Sequence, residues 1–183
     1  KLGLRGQAES IEDFTFDYQV ELALGTVGAT DSVLVSQANV TVGGSLGNLT
    51  VGRQDDKVAD YTADLVDVFS APSDIVSVSD AMLVEMGGDE LKIGLAGIMD
   101  SSSDEMFDTM SFGFSAKVID NLDFAVSFNV DTDAVNPDIQ TISYGGGYNF
   151  GDMYVSAVWN DVDYGTTKVS NRTFAAAYSL DKI

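Results

Sequence analysis

Apolar and polar residues alternate with a period of two along most of this chain, and this pattern constrains the fold more than any other feature. From Phe14 to Leu24 every second residue is aromatic or aliphatic, whereas the residues between them include Asp17, Gln19 and Glu21. Successive side chains of a β-strand point to opposite faces of a sheet, so such a segment has one apolar face and one polar face. The chain is therefore predicted to be an all-β protein.

Eleven segments carry a strand pattern of this kind. They cover residues 1–8, 14–24, 33–43, 49–54, 76–87, 91–99, 109–119, 122–130, 139–150, 153–160 and 172–180. Helical spacing occurs once, between Tyr61 and Phe69, where a short amphipathic helix is predicted. The apolar face of this helix would consist of Tyr61, Leu65, Val68 and Phe69.

The connections between the predicted strands are alternately short and long. The short ones are 9–13, 44–48, 87–89, 120–121 and 151–152, and several contain the Gly, Asn or Asp residues that tight turns favour. The long ones are 25–32, 55–75, 100–108, 131–138 and 161–171. In an up-and-down antiparallel meander, this order places the short turns at one end of the sheet and the long connections at the other.

Composition excludes several classes of function. The 183 residues include 9 basic and 29 acidic side chains, a formal net charge of −20, which disfavours binding to nucleic acid. Hydrophobic residues make up 45% of the chain, too many for a disordered acidic protein. Cysteine and histidine are absent, which removes the common zinc ligands and catalytic bases. The chain is accordingly predicted to be non-enzymatic, without a cofactor or a metal site.

The polar faces of the predicted strands carry side chains that require water. Asp17, Gln19, Glu21, Lys92 and Lys117 all lie on such faces. A small soluble barrel fills its interior with apolar side chains, whereas an outer-membrane barrel is apolar outside and polar inside, with short turns at one end and long loops at the other. An antiparallel up-and-down transmembrane β-barrel is therefore predicted, with these five residues facing its lumen.

Aromatic residues near both ends of the strands agree with a membrane-spanning barrel. Those near the short turns are Phe14, Phe124, Tyr148, Phe150, Tyr154 and Tyr178. Those near the long connections are Phe112, Phe128, Tyr144 and Trp159. Outer-membrane barrels carry aromatic girdles at both membrane interfaces, and the two groups are predicted to form such girdles.

Three stretches of the chain resemble the general diffusion porins of Gram-negative outer membranes. They are residues 1–7 (KLGLRGQ), 17–21 (DYQVE) and 44–54 (GSLGNLTVGRQ). The third is the most specific, because in that family it forms the short turn and the strand that lead into a long third loop. The resemblance implies that residues 55–75 are this loop, with the predicted helix in it, folded inward so that it narrows the channel.

The resemblance also implies a transverse arrangement of charge at the constriction. The basic wall would consist of Lys1, Arg5 and Arg53. Strict alternation in its own strand points Arg53 to the apolar face, so it can join the wall only if a bulge at Gly52 reverses the alternation. The acidic candidates on the inward loop are Asp60, Asp64, Asp67 and Asp74.

By the same resemblance, the complete protein would be a barrel of about sixteen strands that forms a homotrimer in the outer membrane of a Gram-negative bacterium. Its partners would be membrane lipid, lipopolysaccharide, ions and small hydrophilic solutes. Eleven predicted strands are fewer than sixteen, so residues 1–183 are expected to be a single but partial β-barrel domain. The first strand and roughly the last four strands would be missing.

The predicted function is passive diffusion of ions and small hydrophilic solutes through a water-filled pore, with a mild preference for cations because of the charge of −20. Two alternatives stay open: an acidic secreted all-β protein that binds carbohydrate or acts as an adhesin, and a barrel that serves mainly as a membrane anchor. A continuous apolar belt on the outside of one curved sheet would favour the pore. Apolar faces packed against each other in a sandwich would favour the secreted protein.

Overall fold

Eleven antiparallel strands form one sheet in the computed structural model of the chain, in the order of the sequence. The structure describes residues 2–11, 13–27, 30–55, 57–66, 78–88, 90–99, 106–132 and 138–178. The strands are β1 (Leu2–Ile11), β2 (Phe14–Val27), β3 (Thr30–Gly44), β4 (Gly47–Asp55), β5 (Val78–Gly87), β6 (Leu91–Met99), β7 (Thr109–Ile119), β8 (Leu122–Asp131), β9 (Ile139–Asn149), β10 (Met153–Asp163) and β11 (Lys168–Tyr178). A short helix, α1 (Lys57–Ala63), lies between β4 and β5. Strands β1 and β11 are not paired with each other, so the described sheet is open.

The predicted all-β meander is confirmed, but two of the predicted long connections are largely strand. β2 continues to Val27 and β3 begins at Thr30, within the predicted connection 25–32. The predicted connection 161–171 is reduced to residues 164–167, because β10 continues to Asp163 and β11 begins at Lys168. The predicted strands ended where apolar alternation ended. The backbone hydrogen bonds between strands continue beyond that point into polar residues, so the strands are longer than predicted. At the end of β10 and β11 an ion pair of 2.8 Å joins Asp163 and Lys168.

A β-bulge at Ser36 keeps the alternation of β3 in phase with that of β2. Glu21 pairs with Gln37, whereas Leu22 pairs with Val35, so Ser36 is the extra residue. The Ser36 hydroxyl donates a hydrogen bond of 2.9 Å to the Glu21 carboxylate. The bulge allows Val35 to share a face with the even-numbered apolar residues that follow it in β3.

The sheet has two faces of opposite character. Residues that pair across antiparallel strands lie on the same face, and the register joins Leu95, Phe112, Phe128 and Ile142 in one row. We call this side of the sheet the apolar face. The opposite side, against which α1 packs, is called the helix face.

Burial is inverted relative to a soluble β-protein. Within the described residues, every buried side chain belongs to α1, to the turn that follows it, or to the helix face. The apolar face remains open, because Leu95 is 47% exposed, Ile142 44% and Phe112 41%. No second layer covers these rows in the part of the chain that is described. The apolar surface is therefore on the outside of the sheet.

The helix begins four residues earlier than predicted. The predicted span began at Tyr61, whereas α1 spans Lys57–Ala63 and a turn continues to residue 66. Val58, Tyr61, Thr62 and Leu65 are all buried, and their spacing of three and four residues forms one stripe along the segment. Val58 was not included in the predicted face because the predicted helix began only at Tyr61, although Val58 has the helical spacing of three residues from it. Residues 68 and 69 of the prediction lie outside the described residues.

The predicted aromatic positions lie on the apolar face with one exception. Tyr144 and Trp159 stack there with ring centroids 5.9 Å apart, and Trp159 meets Phe174 edge-on at 6.2 Å. Tyr154, predicted for a girdle, instead lies on the helix face, where its hydroxyl donates to the Leu65 carbonyl oxygen at 3.1 Å. Tyr154 lies on this face because the turn between β9 and β10 places Met153, and not Tyr154, on the apolar face.

Candidate functional site

One row of residues across four strands of the helix face forms the seat of α1. The register pairs Glu85 of β5 with Gly94 of β6, Gly94 with Gly113 of β7, and Gly113 with Ser127 of β8. The row therefore has a hydrogen-bonding side chain at each end and two glycines between them. The helix α1 lies across this row.

The two glycines leave the space that the helix occupies. A Cβ atom on Gly94 would lie 2.8 Å from Val58 Cγ2 and 2.8 Å from Tyr61 Oη. A Cβ atom on Gly113 would lie 2.7 Å from Tyr61 Cδ2 and 2.8 Å from Val58 Cγ1. These distances are shorter than real carbon contacts, so a larger residue at either position would push α1 away from the sheet.

Hydrogen bonds at both ends of the row attach α1 to the sheet. The Tyr61 hydroxyl donates to Glu85 Oε1 at 3.0 Å, and the hydroxyls of Thr62 and Ser127 lie 3.0 Å apart. Burial and the neighbouring Glu85 carboxylate raise the pKa of Tyr61 above its usual value, so Tyr61 stays protonated and able to donate. With the contact from Tyr154 to the Leu65 carbonyl, the segment is attached to β5, β8 and β10.

A cavity of about 400 Å³ lies between this segment and the sheet and carries charges of both signs. Its charged lining residues are Asp64, Glu85, Lys92, Lys117 and Asp123. Asp64 belongs to the turn after α1, whereas the other four belong to β5, β6, β7 and β8. The cavity is open to solvent and polar enough to hold water and small ions.

The predicted lumen residues lie on the helix face. The register pairs Gln19 with Arg5 and with Asn39, and the same face carries Asp17 and Glu21. Arg5 and Asp17 line a smaller cavity of about 270 Å³ at the β1–β3 side of the sheet. Lys92 and Lys117 line the larger cavity beside α1. The helix face therefore carries basic groups in two separate places.

Arg53 lies on the apolar face, which corrects its predicted place in the basic wall. It pairs with Ala38 on one side and with Asp80 on the other, and neither ladder contains a register shift. Gly52 adopts a positive φ of 119° yet remains paired with Asn39, so the predicted bulge is not formed. Gln54 occupies the helix face instead, buried, and donates to the Thr50 and Ala81 carbonyl oxygens at 3.2 Å.

Among the predicted acidic residues of the inward segment, Asp64 reaches the cavity beside α1. The backbone of Asp60 lies in α1, but its side chain is outside the described part of the structure. Lys1, Asp67 and Asp74 also lie outside the described residues. Of the predicted charged residues at the constriction, the structure thus describes the side chains of three: Asp64 and Arg5 each line a cavity, whereas Arg53 lies on the apolar face.

Glu85 was missed as a functional residue. Its position between Val84 and Met86 does place it on a polar face by alternation. Its contact with Tyr61 joins residues 24 positions apart in sequence, and nothing in the local pattern indicates it. The two glycines beneath α1 were missed for the same reason.

The described ranges contain no helix that is long and apolar enough to cross a membrane. They also contain no group of three or more acidic, histidine or cysteine side chains arranged to hold a metal ion.

The chain matches no protein-family model and no curated protein sequence. Solved structures match its fold. OmpT of Vibrio cholerae, an outer membrane protein folded in vitro and in trimer form, gives a TM-score of 0.72 at 15% identity, over 98% of this chain and 64% of that chain. The Salmonella typhi OmpF complex with daunomycin gives 0.71 at 14% identity, over 98% and 66%. The anion-selective porin from Comamonas acidovorans gives 0.68 at 13% identity, over 94% and 61%.

The chain spans about two thirds of the length of these structures. Sequence identity this low carries information about fold and not about activity. The match includes nearly all of the eleven-stranded meander and agrees with the inverted burial of its two faces. The chain therefore has the fold of the outer-membrane porins.

Proposed function

We propose that this protein is an outer-membrane porin of a Gram-negative bacterium, a non-enzymatic channel through which ions and small hydrophilic solutes diffuse passively. One observation carries the proposal: the apolar face of the sheet is exposed, whereas the face that bears α1, the charged side chains and the cavities is polar. In a membrane barrel the first face meets lipid and the second lines a water-filled lumen.

The same observation argues against a secreted carbohydrate-binding or adhesin-like protein. A soluble β-sandwich would cover the rows of Leu95, Phe112 and Ile142 with a second sheet. Burying one such side chain contributes about 1.5–3 kcal/mol, so leaving a whole face in water would be costly for a soluble protein. Lipid removes that cost, which favours the channel.

The proposed constriction is the segment 55–75, of which the structure describes α1 and the turn after it. Support comes from the contacts of this segment: α1 lies on the helix face and is attached at Glu85 and Ser127, and the turn after it is attached at Tyr154. A helix held against the lumen wall reduces the cross-section available to solutes. Lys92 and Lys117 on one side and Asp64 on the other would then set the local field that a solute experiences.

We further propose a mild preference for cations. On the described strands the helix face carries five acidic side chains, Asp17, Glu21, Glu85, Asp123 and Asp131, and three basic ones, Arg5, Lys92 and Lys117. Asp64 adds a further negative charge from the turn after α1. An excess of fixed negative charge raises the local concentration of cations and repels anions.

A homotrimer surrounded by outer-membrane lipid and lipopolysaccharide is the proposed assembly. Its support is the fold shared with the trimer form of Vibrio cholerae OmpT. Membrane lipid is a partner of the apolar face on physical grounds, because hydrocarbon is the medium in which exposed aliphatic and aromatic side chains are favourable.

Reconstitution of the full-length protein into planar lipid bilayers tests the proposal. Stepwise, ohmic conductance is expected, together with a reversal potential in a potassium chloride gradient that indicates modest cation selectivity. Anion selectivity would contradict the proposed charge preference but not the channel. A protein that stays monomeric in buffer without detergent and produces no conductance would contradict the channel and support the secreted binding protein.

A further inference from the structure

Two lysines lie close together on the helix face, near the short-turn end of β6 and β7. Lys92 of β6 pairs with Ser115 of β7, and Lys117 comes two residues after Ser115, so the two lysines are diagonal neighbours on the same face. The Cα atoms of such neighbours are about 7–8 Å apart, within reach of long side chains. We call Lys92 and Lys117 the basic pair.

Acidic side chains flank the basic pair on both sides. Asp123 of β8 is directly opposite Lys117 in the ladder, and Glu85 of β5 is the diagonal neighbour of Lys92. Across β5, β6, β7 and β8 the charges therefore follow the order negative, positive, positive, negative. Asp64, in the turn after α1, adds a carboxylate to the same cavity from the side of the inward segment.

The basic pair and Ser115 have unused hydrogen-bonding capacity. Among the residues that the structure describes, neither lysine forms an ion pair and the Ser115 hydroxyl has no hydrogen bond. Both lysines are exposed and line the cavity, as does Ser115. Glu85, by contrast, accepts the hydrogen bond of the Tyr61 hydroxyl. Two ammonium groups and a hydroxyl that lie side by side are a set of donors suited to a carboxylate.

The balance of charge in the cavity favours a ligand that carries both signs. Two basic and three acidic side chains line it, so their net charge is −1. A simple anion would be attracted by the basic pair but repelled by three carboxylates, and a simple cation would meet the reverse. A solute with one carboxylate and one ammonium group can complement both kinds of side chain at once.

The dimensions of the cavity indicate how far apart the two charges of such a ligand would be. Lys92 and Asp123 belong to strands separated by one other strand, which places their backbones about 10 Å apart. An extended peptide of three residues spans at most about 10 Å. The cavity volume of about 400 Å³ lies within the range of pockets that hold small ligands.

We propose that this cavity binds short zwitterionic peptides. The basic pair and Ser115 hold the terminal carboxylate, and Asp123 and Asp64 hold the terminal ammonium group. The site is separate from the cavity at the β1–β3 side of the sheet, which Arg5 lines. The inference names a class of solute for the proposed channel and rests on the helix face being the wall of its lumen.

Binding of tri-alanine to the full-length protein in detergent micelles tests the inference. Saturation-transfer NMR titrations would compare tri-alanine with its N-acetylated form, which lacks the positive charge, and with its C-terminal amide, which lacks the negative charge. Tri-alanine should bind more tightly than either derivative to the wild type. Equal affinities of the three peptides would overturn the inference, and so would tightest binding of the acetylated form, which would indicate a simple anion site.

Variants of the lining residues assign the two ends of the peptide. Lys92→Gln should weaken the binding of tri-alanine and of the acetylated form about threefold, as expected for one solvent-exposed contact between charges, and leave the binding of the amide unchanged. Asp123→Asn should weaken the binding of tri-alanine and of the amide, but not of the acetylated form. A variant that misfolds would lose all three peptides, and the comparison of peptides on the wild type does not depend on any variant.

Lys168→Gln and Asp161→Asn are the matched controls, because they remove the same charges from the apolar side of β10 and β11, away from the cavity. Both should bind tri-alanine like the wild type. Losses in these controls equal to those of Lys92→Gln and Asp123→Asn would overturn the inference.

Conductance in planar bilayers separates this inference from the proposed function. Ohmic potassium chloride conductance of a protein that does not prefer tri-alanine would overturn the peptide site and leave the channel in place. Preferential binding of tri-alanine by a protein without conductance would support the peptide site and contradict the channel.

Discussion

Gly94 of β6 and Gly113 of β7 lie directly opposite each other on the helix face, and the side chains of Val58 and Tyr61 occupy the space above both. Glycine is required here because of space and not because of backbone conformation, since neither residue has a positive φ. The close approach brings α1 against the sheet, where Tyr61 and Thr62 reach Glu85 and Ser127. The size of the cavity beside α1 therefore depends on the absence of two side chains.

Replacement of Gly113 by alanine should displace α1. The new Cβ atom would lie 2.7 Å from Tyr61 Cδ2, and overpacking of this kind typically costs about 1–3 kcal/mol. We expect a lower thermal unfolding midpoint in detergent and an altered single-channel conductance. Gly3→Ala is the control, because the nearest atom to a Cβ there is 3.7 Å away. If Gly113→Ala had the same conductance and stability as the wild type and Gly3→Ala, the proposed role of Gly94 and Gly113 in the seat of α1 would be contradicted.

Removal of the Tyr61 hydroxyl should loosen the inward segment without removing its packing. Tyr61→Phe keeps the ring above Gly94 and Gly113 but loses the bond to Glu85, at a cost of about 1 kcal/mol. Increased current noise in the open channel is the expected signature, with a small loss of stability measured by denaturant. Tyr164→Phe, in the turn between β10 and β11, should leave both quantities unchanged.

The contribution of Tyr61 to stability should depend on pH at the alkaline end. The pKa of Tyr61 is raised in the folded protein by burial and by Glu85, so the folded state holds this proton more tightly than the unfolded state. The stabilisation is complete below the ordinary tyrosine pKa of about 10 and declines as pH rises above it. Denaturation of the wild type and Tyr61→Phe at pH 7 and pH 11 should show a larger difference at pH 7. A difference that grows with pH would contradict this sign.

Neutralising Lys92 or Lys117 should increase the preference for cations. At about 10 Å in water, one unit charge changes the energy of a passing ion by about 0.4 kcal/mol, which corresponds to roughly a factor of two in local concentration. The same change halves the local concentration of chloride, so Lys92→Gln and Lys117→Gln should each raise the permeability ratio of potassium to chloride by up to roughly fourfold, measured from reversal potentials. Asp64→Asn should change the ratio in the opposite direction. Lys168→Gln, outside the proposed lumen, serves as the control and should have no effect.

A charge on the apolar face should prevent membrane assembly, whereas the same charge one residue away should be tolerated. Phe114, in the middle of β7, lies on the apolar face and Ser115 on the helix face. An arginine on the lipid side of a barrel costs about 2–4 kcal/mol near the membrane midplane. Phe114→Arg is expected to reduce the folded fraction in liposomes, assayed by heat-modifiable gel migration, and Ser115→Arg to fold normally. Equal folding of the two variants would count against the lipid-facing assignment.

The local sequence contained most of what was needed to predict the strands. The alternation from Phe14 to Leu24 and the turn residues at 120–121 determine where strands run and which residues share a face, since both depend on neighbours in sequence. The spacing of the helix stripe is also local. That the polar Thr62 is buried in this stripe, however, depends on its contact with the sheet. Arg53 shows where the resemblance misled the prediction. Simple alternation places Arg53 on the apolar face, where it is found, whereas the resemblance required a bulge at Gly52 that is not formed.

The seat of α1 was decided by tertiary structure alone. Glu85, Gly94, Gly113 and Ser127 come from four strands, and strand register is what brings them into one row beneath Tyr61 and Thr62. A shift of one residue in any of these ladders would move the glycines to the lipid side and close the space that α1 occupies. The sequence by itself determined that the chain forms strands with one apolar and one polar face, because that pattern repeats every two residues. Which polar residues meet was determined only by pairing between distant segments.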